Sequence, residues 1–238
     1  MICGQSTQGA VLRRVIPTII CHMGFDGEYN TYRESTGLAC TAYGSTYQAY
    51  PGYYVGKHVY FGGSAGYYVV IGGTSSFNAL HVLGTSGKWS VRFRYKWINR
   101  TLTSMVFSNF YLSSQVGCEI GFSSARKMYV RIGRGVSGQM IMDGVSTTAV
   151  PDDSNWHEYL VTYDQSLASA NCNMYCDGVS LGTASKSAYT PSTANATNAA
   201  RIGMSLDGTS YFNGYLDEFL VVKDLILDSA ITTRRIYV

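Results

Sequence analysis

The chain has 238 residues, 46% of them hydrophobic and 14% charged, with a formal net charge of +3 at pH 7. Glycine (26) and tyrosine (20) are abundant and proline is scarce (4), which suits many short strands and tight turns and argues against a helical or disordered protein. So slight a charge, with no concentrated basic patch, calls for no nucleic-acid partner, and no apolar run approaches a membrane span.

Residues 1–15 read as an amino-terminal arm outside the main series of strands, packed on a neighbouring subunit of a homo-oligomer. Met1–Ala10 lacks the basic-then-apolar order of a secretory signal. Read as a native start, it predicts synthesis in a cytoplasm without export by the usual route. Val15 to Cys21 reads as the first strand. Residues 30–54, rich in Tyr, Thr, Gly and Ser, read as a long ordered loop with one short strand. Strands follow at His58–Phe61 and Tyr67–Ile71, on either side of a glycine-rich turn.

Trp89 to Ile98 alternates most cleanly. Trp89, Val91, Phe93, Tyr95 and Trp97 take one face; Ser90, Arg92, Arg94 and Lys96 take the other. Further strands are predicted at 104–108, 118–122, 128–132, 139–142, 158–163, 172–176, 201–204 and 214–222. Asp177-Gly178 has the residues that a tight hairpin with positive φ favours. Residues 185–200 form a loop of low complexity, and 228–235 at most one terminal turn. One domain, 16–238, therefore follows the arm.

The six cysteines show no paired spacing. Cys172 and Cys176, four apart on a strand, sit roughly 13 Å apart and cannot bridge each other. Small buried thiols in a protein folded under reducing conditions are expected.

Four segments appear in a telling order: Trp156-His157-Glu158 through Thr162-Tyr163-Asp164, then Tyr175-Cys176-Asp177-Gly178, then Ile202-Gly203, then Phe212-Asn213-Gly214-Tyr215-Leu216-Asp217-Glu218-Phe219. With weaker counterparts at Trp89–Arg94 and Phe25-Asp26-Gly27, this resembles the laminin G-like branch of the concanavalin A-like lectin/glucanase superfamily. The resemblance implies an all-β, two-sheet antiparallel jelly-roll sandwich. It places Trp156, Leu160, Tyr175, Ile202, Phe212, Leu216 and Phe219 inside the sandwich or at its closing edge. The fold alone names no activity.

A glycosidase needs two facing carboxylates. The five glutamates show no E-x-D-x-x-E pattern of the kind glucanase relatives carry, so no catalytic residue is assigned and no enzyme is expected. The resemblance implies one structural Ca2+ beside Asp217, completed by Asp26 or first-strand carbonyls; the alternative is a solvated or salt-bridged strand end. Arg92, Arg94 and Lys96 form a basic row suited to acidic glycans or an acidic patch on a partner, unless they are merely a solvated strand face. In many relatives the position of Arg94 holds tryptophan. Tyr43, Tyr47, Tyr50, Tyr53 and Tyr54 are candidates for stacking on sugars or anchoring an interface, with core filling as the alternative. The expected function is non-catalytic recognition or display. A phage virion component, a capsid decoration or fibre module made in the host cytoplasm, is the first reading. A free carbohydrate-binding lectin or adhesion module acting outside the cell is the alternative.

Overall fold

A computed structural model of the chain describes residues 18–23, 38–44, 46–48, 58–72, 74–98, 103–111, 113–191 and 193–224. Two antiparallel sheets face each other. The first runs β13 (Val179–Ala184), β12 (Cys172–Cys176), β11 (Trp156–Asp164), β6 (Lys88–Trp97), β15 (Asn213–Lys223), β4 (His58–Gly62), β3 (Thr46–Gln48), with β1 (Thr18–Met23) also paired to β15. The second runs β10 (Gln139–Val145), β9 (Met128–Val136), β8 (Val116–Phe122), β7 (Ser104–Ser108), β14 (Ala200–Ile202), β5 (Tyr68–Ile71), β2 (Cys40–Tyr43). This is the expected jelly-roll sandwich.

Alternation on β6 builds the core. Trp89, Val91, Phe93, Tyr95 and Trp97 all point inward and are buried. On β11 the register sets Tyr163 opposite Trp89 and Tyr159 opposite Phe93. Both pairs stack, with ring centroids 5.5 and 5.4 Å apart. From the other sheet Phe122 closes on Trp97 at 5.0 Å and on Tyr159 at 5.1 Å. Offset and edge-on ring pairs of this kind add to plain area burial.

The same alternation corrects part of the expected core. Ile202, Phe212, Leu216 and Phe219 are in it. Trp156 and Leu160 are outside that cluster, Leu160 buried and Trp156 half-buried on the outward face, because the inward positions of β11 belong to Tyr159, Val161 and Tyr163. Tyr175 pairs with Leu160 and shares its outward face. Leu216 and Phe219 both turn inward although three residues apart. A bulge between Asp217 and Leu220, with Glu218 at φ 50°, resets the period there. At that bulge β15 exchanges neighbours, pairing β4 through residues 213–216 and β1 through 219–223.

Three further differences are local. Residues 38–48 hold two strands rather than one, β2 and β3, and these join opposite sheets. Thr74–Leu80 is a 3₁₀ helix whose Phe77 and Leu80 plug the core. β13 was not anticipated: its Val-Ser-Leu-Gly-Thr run is short and glycine-broken. Cys21, Cys40, Cys118, Cys172 and Cys176 are unbridged, as expected. The expected arm (1–15) and terminal turn (228–235) lie outside the described residues. Among the described residues no helix is long and apolar enough to cross a membrane.

Because Phe122 is wholly buried among four rings, Phe122→Ala should cost about 3–5 kcal/mol in chemical denaturation. Trp156→Ala, on the outward face, should cost clearly less. Equal losses would contradict the inward and outward assignment.

Candidate functional site

Arg92, Arg94 and Lys96 do share the outward face of β6, but they are not an open basic row. Arg92 is 7% and Arg94 4% exposed. Arg94 donates from Nε (3.1 Å) and Nη2 (2.8 Å) to Oε2 of Glu158, its cross-strand partner on β11. Burial pushes the Glu158 carboxyl up, against the pull of Arg92 and Arg94. Such a buried pair holds register, and removing one partner strands the other charge. The reason for the departure lies on the neighbouring strands, where Glu158 and Asp217 stand in register on either side of Arg94.

Lys96 has a different setting. Trp156 stands opposite it on β11 and Tyr215 on β15; Tyr215 in turn faces Tyr60 on β4. Trp156, Lys96, Tyr215 and Tyr60 therefore form one row across four strands, all half-buried. Three inter-strand steps make that row about 14 Å long. The rings interlock: Tyr215 lies 5.5 Å from Tyr60 and 6.5 Å from Trp156. His58, only 4% exposed, stands edge-on to Tyr215 at 4.8 Å and to Trp156 at 5.4 Å. Its Nδ1 has no hydrogen-bond partner. Burial, then the charge of Lys96, lowers the His58 pKa, so the ring stays neutral at pH 7. Among the described residues no carboxylate pairs with Lys96. The strip thus offers flat ring faces around one uncompensated ammonium, an arrangement that stacks on sugar rings and attracts a carboxylate.

The other expected residues disperse. Tyr43, exposed on β2 of the second sheet, stacks on Tyr68 at 4.6 Å, and the Arg201 guanidinium lies 5.2 Å over Tyr68. Tyr47 lies on β3 of the first sheet, while Tyr50, Tyr53 and Tyr54 lie outside the described residues. Asp217 is buried, and its Oδ1 accepts the Glu218 N–H at 2.9 Å. Glu218 is held by His22 at 3.4 Å. Asp26 lies outside the described residues. With Arg94 in register beside it, the described surroundings of Asp217 do not by themselves compose the oxygen cage that calcium takes.

One cluster went unread in the sequence as a bonded unit. His157 Nδ1 meets Asp177 Oδ2 at 2.6 Å and His157 Nε2 meets Asp153 Oδ1 at 2.8 Å. Asp177 also accepts the Glu158 N–H at 2.8 Å from the β12–β13 turn, where Asp177 and Gly178 take φ 49° and 77°. The Trp-His and Asp-Gly segments are thus two halves of one clasp. Cys176, His157 and Asp177 place potential metal-ligating atoms within 4.8 Å of one another. Both imidazole nitrogens are already engaged, and burial with the nearby carboxylates pushes the Cys176 thiol up to about 12, so the set is a poor metal donor.

Residues 68–232 match the family model described as the concanavalin A-like lectin/glucanases superfamily. The chain belongs to that superfamily. Among solved structures, this concanavalin A-like chain is similar to domain 4 of AbnA, a GH43 extracellular arabinanase from Geobacillus stearothermophilus, in complex with arabinotriose. The identity is 16%, over 87% of this chain and 93% of that one, with a TM-score of 0.58. It is similar to the binding domain of Paraclostridial Mosquitocidal Protein 1, at 12% identity over 90% of this chain and 50% of that one, TM-score 0.63. A third is botulinum neurotoxin type C, whose cell entry depends on interaction with two ganglioside molecules, at 14% identity, 90% and 49% coverage, TM-score 0.62. The chain spans about half the length of these two toxin structures. At such identities the likeness carries the concanavalin A-like fold. No curated protein sequence matches the chain.

Burial pulls the His157 imidazole down, yet Asp177 and Asp153 hold its pKa above the ordinary value. A raised folded pKa adds stability that is fully present below the unfolded value, about 6.5, and is lost as pH rises through the folded one. His157→Gln should therefore destabilise more at about pH 5.5 than at about pH 9, read from urea melts at both. An equal loss at the two would remove the clasp's ionic character.

Proposed function

We propose that this chain is a carbohydrate-binding module that takes an acidic glycan on the Trp156–Lys96–Tyr215–Tyr60 strip. The observation that carries the reading is the Lys96 ammonium, unpaired among the described residues and set in a row of half-buried rings. Rings stack on the apolar faces of sugars, and the ammonium selects those bearing a carboxylate. Arg94 and Glu158, in the neighbouring row of the same face, lock β6 to β11 and so fix the register of the strip. Two of the similar structures support the reading by what they bind: one holds arabinotriose, and another belongs to a toxin that depends on gangliosides.

This favours the free carbohydrate-binding module over display on a virus particle. As a virion component the chain would use the same strip for attachment to a glycan or to an acidic patch on another virion protein.

Calorimetric titration with polygalacturonate fragments and a sialylated trisaccharide, against lactose as the neutral control, tests the proposal. Acidic ligands should bind and weaken with added salt. Lys96→Met should lose about tenfold in affinity, the loss of roughly one charge-assisted contact. Trp156→Ala should lose at least as much. Equal binding of acidic and neutral sugars, or indifference to both substitutions, would sink the assignment.

A further inference from the structure

The outward face of the second sheet carries a cleft of ≈ 380 Å³, lined by residues of β7 to β10 and of the loop after β14. That volume is in the range of small-molecule sites. Its floor is Glu119, on β8, in a cross-strand row with Ser108, Arg131 and Asp143. Glu119 is 6% exposed, and its Oε1 accepts from Arg131 Nη1 at 3.0 Å. Arg131 Nε is committed to Asp143 Oδ1, also at 3.0 Å. Among the described residues this leaves Glu119 Oε2 and Arg131 Nη2 without partners, an acceptor and a donor side by side.

One wall is apolar. Tyr129 folds over Gly121, where a Cβ would stand 2.8 Å from its hydroxyl and 2.5 Å from the Ser104 carbonyl oxygen, so glycine is required for the ring to lie flat. Tyr129 reaches to within 4.0 Å of Met105 Sδ, and Val145 completes that side. The opposite wall is hydroxylic. Asp207 there ties its loop down through Oδ1, which accepts from Ser205 Oγ (2.5 Å) and Thr209 Oγ1 (2.8 Å). Among the described residues its Oδ2 has no hydrogen-bond partner, and Ser210 lines the same wall.

We infer that this cleft is a second, independent sugar site, and that it takes a neutral sugar. A carboxylate oxygen beside a guanidinium nitrogen matches two adjacent hydroxyls, one donating and one accepting. The apolar wall matches the C–H face of the ring. Charge sets the class: Glu119, Asp143 and Asp207 against Arg131 and Arg201, whose Nη1 lies 3.4 Å from the Ser205 carbonyl oxygen of the same loop, leave one surplus negative charge, which disfavours the carboxylated ligand that the Lys96 strip attracts. Nothing in this inference depends on the strip, and the two sites lie on opposite outward faces.

The test is an amide-resolved NMR titration of the whole chain with arabinose, xylose, glucose, galactose, mannose and N-acetylglucosamine, each up to tens of millimolar, with galacturonate in parallel. At least one neutral sugar should shift the amides of Glu119, Gly121 and Tyr129 while leaving those of Lys96 and Tyr215 still. Galacturonate should not shift the first group. Arg131→Ala strands Glu119 and can unfold the sheet, so the variant is Val145→Trp, at an exposed position where the added ring fills the cleft mouth. It should raise the apparent Kd of the responding sugar about tenfold or more. No response at Glu119, Gly121 and Tyr129 to any neutral sugar, or a response that survives Val145→Trp, overturns the inference, whatever the outcome at Lys96.

Discussion

The register between β6 and β11 governs the rest of the molecule. Two stacked ring pairs, Trp89 with Tyr163 and Phe93 with Tyr159, fix it from the inside. The Arg94–Glu158 ion pair fixes it from the outside. A slip of one residue would turn every ring on β6 outward and bring the arginines into the core. Both faces penalise that slip, one by exposing large apolar surface and the other by burying unpaired charge. The Trp156–Lys96–Tyr215–Tyr60 strip is a by-product of the same register: it is the next outward row once the rings are seated.

The two outward faces then diverge in chemistry although they share one core. On the first sheet the carboxylates Glu158 and Asp217 stand beside Arg94, leaving Lys96 as the cation among rings. On the second, Arg131 is shared between Glu119 and Asp143, and the surplus charge is negative. The first face is set by neighbouring strands in register, whereas the second adds the loop after β14 to its strands.

Much of the fold was legible because alternation and turn chemistry are local. Trp89–Trp97 announced its inward face directly, and Asp177-Gly178 its hairpin. What was not legible required knowing a neighbour. The burial of Arg92 and Arg94 depends on β11 and β15, more than 60 residues away (158 − 94 = 64). Trp156, expected inside for its size, lies outside because Tyr159 claims the inward parity, and size says nothing about parity. The bulge at Asp217-Glu218 reverses the face of everything after it, and neither residue advertises positive φ. His157 stood out in the sequence only as part of the Trp-His segment, while its clasp to Asp177 and Asp153 needs the fold to bring the three together. The tyrosines of 43–54 read as one cluster, yet a break of two residues sends Tyr43 and Tyr47 to different sheets.

The position of β15 carries a consequence for how the chain is made. It is the last described strand and yet it sits at the centre of its sheet, between β6 on one side and β4 and β1 on the other. Until Lys223 has been synthesised, β6 and β1 both lack β15, the strand that pairs with each of them among the described residues. From Trp97 to Lys223 is 126 residues (223 − 97), which at about 5–20 residues per second takes roughly 6–25 seconds. Through that interval the nascent chain lacks the strand that covers this edge of β6, the condition under which aromatic strand edges pair wrongly.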